Sequence, residues 1–189
     1  EAPKLEPDES LDIAARFVKG FGDLPVIVGV SAPGFAAMRS LTRAVMDKGA
    51  AGVMIVNERG LKALGVEPLA RIHHMTVIGH DPVIMLEAPI PATQKALKRS
   101  GLSIDQIGAF EVNEAFASVL LSWAAVHGPD MDKVNVNGGA IAIGHPVGST
   151  GSRLITTALH ELERTDGERA LITMCAGGAQ ASASIIERI

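Results

Sequence analysis

Apolar residues along the chain follow two alternating rhythms: short β-branched runs, and stretches with an apolar side chain every third or fourth position. The spacing predicts helices over residues 10–19, stopped by Gly20 and Gly22, and over 35–48, stopped by Gly49. The runs "PVIVGV" and "GVMIV" read as buried strands, and "LKALG" at 61–65 as a short helix. Residues 69–78 contain another strand. Residues 91–99 read as a helix with proline in its first turn and Gly101 past its end, and Ser103 with Gln106 has the spacing of a capping box. The strand "AFEV" follows.

Beyond that strand the pattern sets polar groups at three strand ends. Residues 115–127 place Ala115, Val119, Leu120, Trp123 and Val126 on one helical face, with Asn113 near the N-cap and Glu114 beside it. In "VNVNGGAIAIGHPVGSTGSR", residues 134–153, a β-branched run enters a glycine loop that holds His145 and leads into a helix over 152–164. Its inward residues are Leu154, Ile155, Ala158, Leu159 and Leu162. Glycines before a helix let backbone approach a ligand closely, and the free N–H groups of the helix start favour negative charge, which places His145 at the floor of a site. In "ALITMCAGGAQASASII" two apolar strands flank a glycine turn, with Cys175 near the end of the first. Strands alternating with helices predict an α/β fold, whose ligands gather where strands end.

Composition narrows the function. With 189 residues, 47% of them hydrophobic and 20% charged, the chain can bury a sizeable core. A net charge of -4 without a basic stripe argues against nucleic acid as a partner. No apolar run reaches the roughly 18 residues of a membrane helix, and "EAPKLEPDES" lacks signal-peptide features, so the expected compartment is the cytoplasm. The single cysteine, Cys175, excludes an internal disulfide.

Converging corners would bring a thiol, an imidazole and an amide together, with glycine N–H groups from 138, 139, 177 and 178 nearby. That set suits carbonyl chemistry, which needs a proton donor or acceptor and amides aimed at a developing oxyanion. Each feature also has a plainer reading. Cys175 fits an inert core thiol, Asn113 an N-cap, and Glu114 a partner of the helix dipole. His73, His74 and His80 lack the neighbours of a metal site, and no metal is expected. "GSTGS" does not have the order of a nucleophile elbow, and no phosphate-binding loop is present.

"NEAFA" at 113–117, "GGAIAIGHPVGSTGSR" at 138–153 and "CAGG" at 175–178 stand in the order and spacing of the C-terminal half of thiolases, the acetyl-CoA acyltransferases. The chain resembles that family from about Gly49 to Ile189. The resemblance implies a layered α/β fold, a mixed sheet covered by helices, with residues 68–189 as the thiolase C-terminal domain and 1–67 as a partial α/β segment. It implies that Asn113 holds a catalytic water, and that His145 helps activate a nucleophilic thiol and binds the thioester oxygen. Cys175 would exchange a proton with the substrate α-carbon, Gly177 would donate an oxyanion-hole N–H, and Ala115 with Phe116 would line the acyl or pantetheine path. Coenzyme A enters as substrate, with no permanently bound cofactor.

Cleaving a 3-ketoacyl thioester between Cα and Cβ expels an enolate, so oxygen charge must be stabilised and carbon reprotonated, while the acyl group waits on a nucleophile. In thiolases that nucleophile is a second cysteine, in the N-terminal half. Here Cys175 is the one cysteine, and Ser149 and Ser152 are poor substitutes, because a serine hydroxyl needs a dedicated base and neither sits in the expected motif. The expectation is therefore part of a longer enzyme, a homo-oligomer or complex with a chain that brings the cysteine, or a non-catalytic subunit that binds acyl-CoA. Residues 11–56 are similar instead to a βα unit of dihydrodipicolinate synthase-type aldolases, whose full barrel needs about 250 residues. Ala179 stands where the family places glycine; at positive φ its methyl group would cost about 1 kcal/mol or more.

Overall fold

Alternation of apolar and polar positions on four strands, and a 3.6-residue apolar stripe on the helices between them, are resolved into layers in a computed structural model of the chain. It describes residues 7–22, 26–29, 35–50, 52–54 and 68–189. These fall into two units, Glu1–Pro68 and Leu69–Ile189. The helix expected at 61–65 and positions 25, 30, 55 and 56 of the first two strands lie outside the described residues.

In the first unit, helices α1 (Pro7–Gly20) and α2 (Phe35–Asp47) accompany a parallel pair, β1 (Ile27–Gly29) and β2 (Gly52–Met54). Ala14, Val45 and Ala50 are buried together, with Leu11, Val18, Val28, Leu41 and Met46 packed around them. Burial of these apolar faces is what holds so short a strand pair to its helices.

The second unit is built on a four-stranded mixed sheet in the order β3 (Ala70–Gly79), β6 (Gln180–Arg188), β5 (Arg169–Ala176), β4 (Ala109–Val112). β6 runs antiparallel to both neighbours, and β4 runs parallel to β5 with Val112 opposite Thr173. The mixed, helix-covered sheet matches the expected class. Side chains alternate across it, as the period of two requires. On one face Phe110, Val112, Leu171, Ala181, Ala183 and Ile185 pack with Trp123 and the alanines of α3 (Pro89–Ser100). On the other, Ala109, Ala170, Ile172 and Ile186 meet Leu154, Ala158 and Leu162.

The helices start and stop for local reasons. α3 opens with prolines in its first turn and ends at Gly101, whose φ of 74° lets its N–H return to the Leu97 carbonyl. Ser103 and Gln106 do form a capping box, on a single 3-10 turn (Ile104–Gln106). α4 spans Ala117–His127, two residues later than expected, because Phe116 is extended at φ -148° and occupies the N-cap. Of its expected inward residues Val119 and Trp123 are buried, whereas Val126 is 54% exposed. The Trp123 indole N–H donates to Thr93 Oγ1 at 2.9 Å, which removes the penalty of burying it. A single helical turn, α5 (Ala140–Ile143), lies inside the glycine loop where none was expected. α6 runs Thr150–Thr165, with Ile155 and Leu159 half-buried at the edge of its stripe. Among the described residues no helix is long and apolar enough to cross a membrane.

Candidate active site

The C-terminal end of β4 places the first group. The Asn113 N–H donates to the Thr173 carbonyl at 2.9 Å, which extends the β4–β5 ladder by one residue. The residue is 1% exposed and does not cap α4, so the N-cap reading fails. Its Nδ2 lies 3.5 Å from His145 Nε2, and its buried Oδ1 has no partner.

His145 is exposed in this chain, not buried as a floor position would be. Its Nδ1 lies 2.6 Å from Thr150 Oγ1, and that hydroxyl, buried at the start of α6, donates to the Pro146 carbonyl at 2.9 Å. A hydroxyl has one proton to give. Thr150 therefore accepts from His145, the neutral ring carries its proton on Nδ1, and the Nε2 lone pair faces the Asn113 amide. This orientation fixes what the ring can do: Nε2 can take a proton from an incoming thiol, and once protonated it can donate to an oxygen.

Cys175 occupies the next-to-last position of β5, 8% exposed, two residues past the Thr173 that holds Asn113. Burial pushes its thiol up from the ordinary value, so it is protonated at neutral pH. No hydrogen bond joins its sulfur to Asn113 or His145; the three groups share one end of the sheet, and only the amide and the ring touch. The turn beyond it carries Gly177, whose N–H is given to no backbone carbonyl, then Gly178 at φ 84° and Ala179 at φ 57°. Ala179 is thus in the left-handed region, the case in which its methyl group carries a conformational cost. A shallow groove of about 430 Å³ runs along this turn, lined by Gly178, Ala179, Gln180 and, from β3 and beyond, Val77 to His80 and Pro82. Ala115 is half-buried and Phe116 62% exposed beside Asn113.

Asn135 and Glu111, which shape the site, were not picked out in sequence, and the partners of Glu114 were not read there. Asn135, at φ 49°, turns its side-chain amide onto the outer edge of β4, accepting from Val112 N–H at 2.8 Å and donating to Val112 O at 2.9 Å. Its second amide proton goes to Glu114 Oε1 at 2.8 Å, and Glu114 Oε2 accepts from the Ile141 N–H at 2.9 Å. Glu114 thus clamps the glycine loop and does not serve the dipole of its own helix. Glu111, 1% exposed on β4, accepts from Arg153 of α6 at 3.2 Å. Burial, only partly offset by Arg153, raises the Glu111 carboxyl to about 7. A glutamate in the otherwise apolar "AFEV" was the available signal. No cluster of metal-ligating side chains occurs among the described residues.

Residues 66–188 match the family described as the thiolase C-terminal domain. The steroid 3-ketoacyl-CoA thiolase FadA6 of Mycobacterium tuberculosis is 52% identical over 144 residues, 76% of this chain and 35% of its own length. A 3-ketoacyl-CoA thiolase of Photorhabdus laumondii is 44% identical over 172 residues, 88% of this chain and 44% of its own. Human mitochondrial 3-ketoacyl-CoA thiolase superposes with a TM-score of 0.67 at 45% identity over 70% of this chain and 34% of its own, and it has also been solved with CoA. The chain spans well under half the length of these relatives. The motifs, the mixed sheet and these matches agree, and the chain belongs to the thiolase family.

Proposed function

We propose that this chain supplies the proton-transfer and oxyanion-binding part of a 3-ketoacyl-CoA thiolase, with CoA thioesters as its substrates and the acyl-carrying cysteine contributed by another segment or chain. The observation that carries the reading is the placement of the His145 ring: Nδ1 lies against the Thr150 hydroxyl, and Nε2 faces Asn113. In thiolysis the incoming cysteine gives its proton to His145 Nε2 and its sulfur adds to the C3 carbonyl. The C2–C3 bond then breaks, and its electron pair moves into the thioester to form an enolate. The His145 Nε2–H and the Gly177 N–H stabilise the enolate oxygen, and Cys175 gives its proton to C2. CoA thiol then gives its proton to the Cys175 thiolate, its sulfur adds to the acyl carbon, and the nucleophilic cysteine leaves as a thiol with the proton held on His145 Nε2, which returns both groups to their starting states. The unpartnered Asn113 Oδ1 is an acceptor for the water that completes the oxyanion site. Ala115 and Phe116 border the path of the pantetheine arm.

Deuterium exchange into the methyl group of acetyl-CoA tests the assignment, using the chain in complex with a cysteine-bearing partner. Cys175→Ser is expected to abolish exchange while acyl transfer to the nucleophile persists in part, since losing a positioned acid or base reduces rate by about 10²–10⁴. The chain alone is expected to cleave no acetoacetyl-CoA and to gain no mass from it. Unchanged exchange in the variant, or turnover by the chain alone, refutes the division of labour.

A further inference from the structure

An ion pair between buried Glu111 and half-buried Arg153 lies behind the glycine loop, and the proton-transfer chemistry above makes no use of it. Glu111 sits in the middle of β4 on the face that meets α6, where its neighbours Ala109, Ala170 and Ile172 are apolar. Its partner Arg153 lies three residues after Thr150, the acceptor for the His145 ring. The same Arg153 Nη1 that donates to Glu111 lies 3.5 Å from the carbonyl of Gly138, at the entrance of the loop. One guanidinium therefore ties together β4, which leads into Asn113, the start of the loop that holds His145, and the helix turn that orients the ring.

We infer that Glu111 and Arg153 are positioning residues that act through Gly138 and the first turn of α6 to hold His145 in register with Asn113. A pair kept for packing alone is a poor choice here, because well-packed apolar residues of similar volume hold a core at least as well as buried charges. The pair is also incompletely satisfied, since Arg153 Nη2 is buried with no partner. Other groups around Glu111 do not substitute for Arg153. Glu114 and Glu161 oppose its ionisation. Each is already engaged, Glu114 by Asn135 and the Ile141 N–H, Glu161 by Asn137 and Arg164. Among the described residues Arg153 is thus the one cation acting on Glu111, and the carboxyl ionises near neutral pH. The tether tightens as that charge appears.

The inference rests on the thiolase reading only in taking His145 as the group worth positioning. Its test reads the ring itself, so it can fail while that reading stands. Ring nitrogen NMR of the chain is expected to give one neutral tautomer, with the proton on Nδ1. Glu111→Gln keeps shape and removes charge; it should abolish the tautomer preference and shift the Asn113 side-chain amide signal, while the Trp123 fluorescence and the β5–β6 amide signals stay in place. Arg153→Met should reproduce the loss, and Arg153→Lys should restore the tautomer in part. In the unmodified chain the Gly138 carbonyl carbon should titrate with the Glu111 carboxyl, at a common midpoint of about 7. A native tautomer in folded Glu111→Gln overturns the inference. So does a Gly138 signal that ignores the Glu111 titration, a measurement that needs no variant to fold.

Discussion

A methyl group on Gly139 would lie 2.1 Å from the Glu114 carboxyl carbon and 2.2 Å from both of its oxygens, closer than real contacts allow. The carboxylate could swing aside only by releasing Asn135 and the Ile141 N–H. Gly139→Ala is therefore expected to destabilise the chain by about 1–3 kcal/mol, the scale of a lost hydrogen bond to a charged group. In a Glu114→Ala background the same change should cost little. Urea unfolding of the unmodified chain and the three variants measures that coupling, and additive effects would remove Glu114 as the cause. The residue scale is where sequence reading reached least evenly. Asn113, His145, Cys175 and the glycine turn stood out because each breaks an apolar pattern at a strand end. Asn135 did not, and the contact of Glu114 with the glycine loop went unread, because these roles exist only once residues more than twenty positions apart are brought together.

Helices and strands with a one-sided apolar pattern were legible almost to the residue: "AFEV" is β4, and the inward face of α6 was read correctly at Leu154, Ala158 and Leu162. Periodicity works there because burial alone selects the face. It failed at α5 and at the start of α4, where hydrogen bonds to distant side chains and the extended Phe116 set the backbone. It also failed at Val126, which the stripe points inward but which is left exposed. The burial contrast along α6 carries its own expectation. Leu162→Ala, at a position 0% exposed, should cost about 2–5 kcal/mol in chemical denaturation, and half-buried Ile155→Ala clearly less. Equal losses would mean that α6 does not pack as described.

At the scale of the whole second unit, two glutamates pull stability in opposite directions. Glu187 on β6 accepts from Arg71 and Arg169, and these bonds hold its carboxyl at about 2, below the ordinary 4.5. A lowered folded-state value means that its contribution is present above 4.5 and is lost as pH falls toward about 2. Glu111 is the reverse: raised from 4.5 to about 7, it weakens the fold progressively as pH rises between those values. The melting temperature of Glu111→Gln relative to the unmodified chain should therefore climb from pH 5 to about 7 and then level. A flat difference would place the Glu111 ionisation elsewhere. Removing Glu187 should instead flatten the acid limb.

The Ile189 N–H donates to the Leu69 carbonyl at 3.2 Å, and β3 finds its strand partner in β6, the last element of the chain. The first and last residues of this unit are thus neighbours across a ladder. Topologically it is a ring of elements opened at a single point between β6 and β3. The order in which the chain visits the elements around that ring leaves their packing unchanged, whereas a chain that stopped before β6 would leave β3 and β5 on opposite sides of a missing strand. Closure of the ring is the longest-range event in the unit, and loop entropy makes such pairings among the slowest to form.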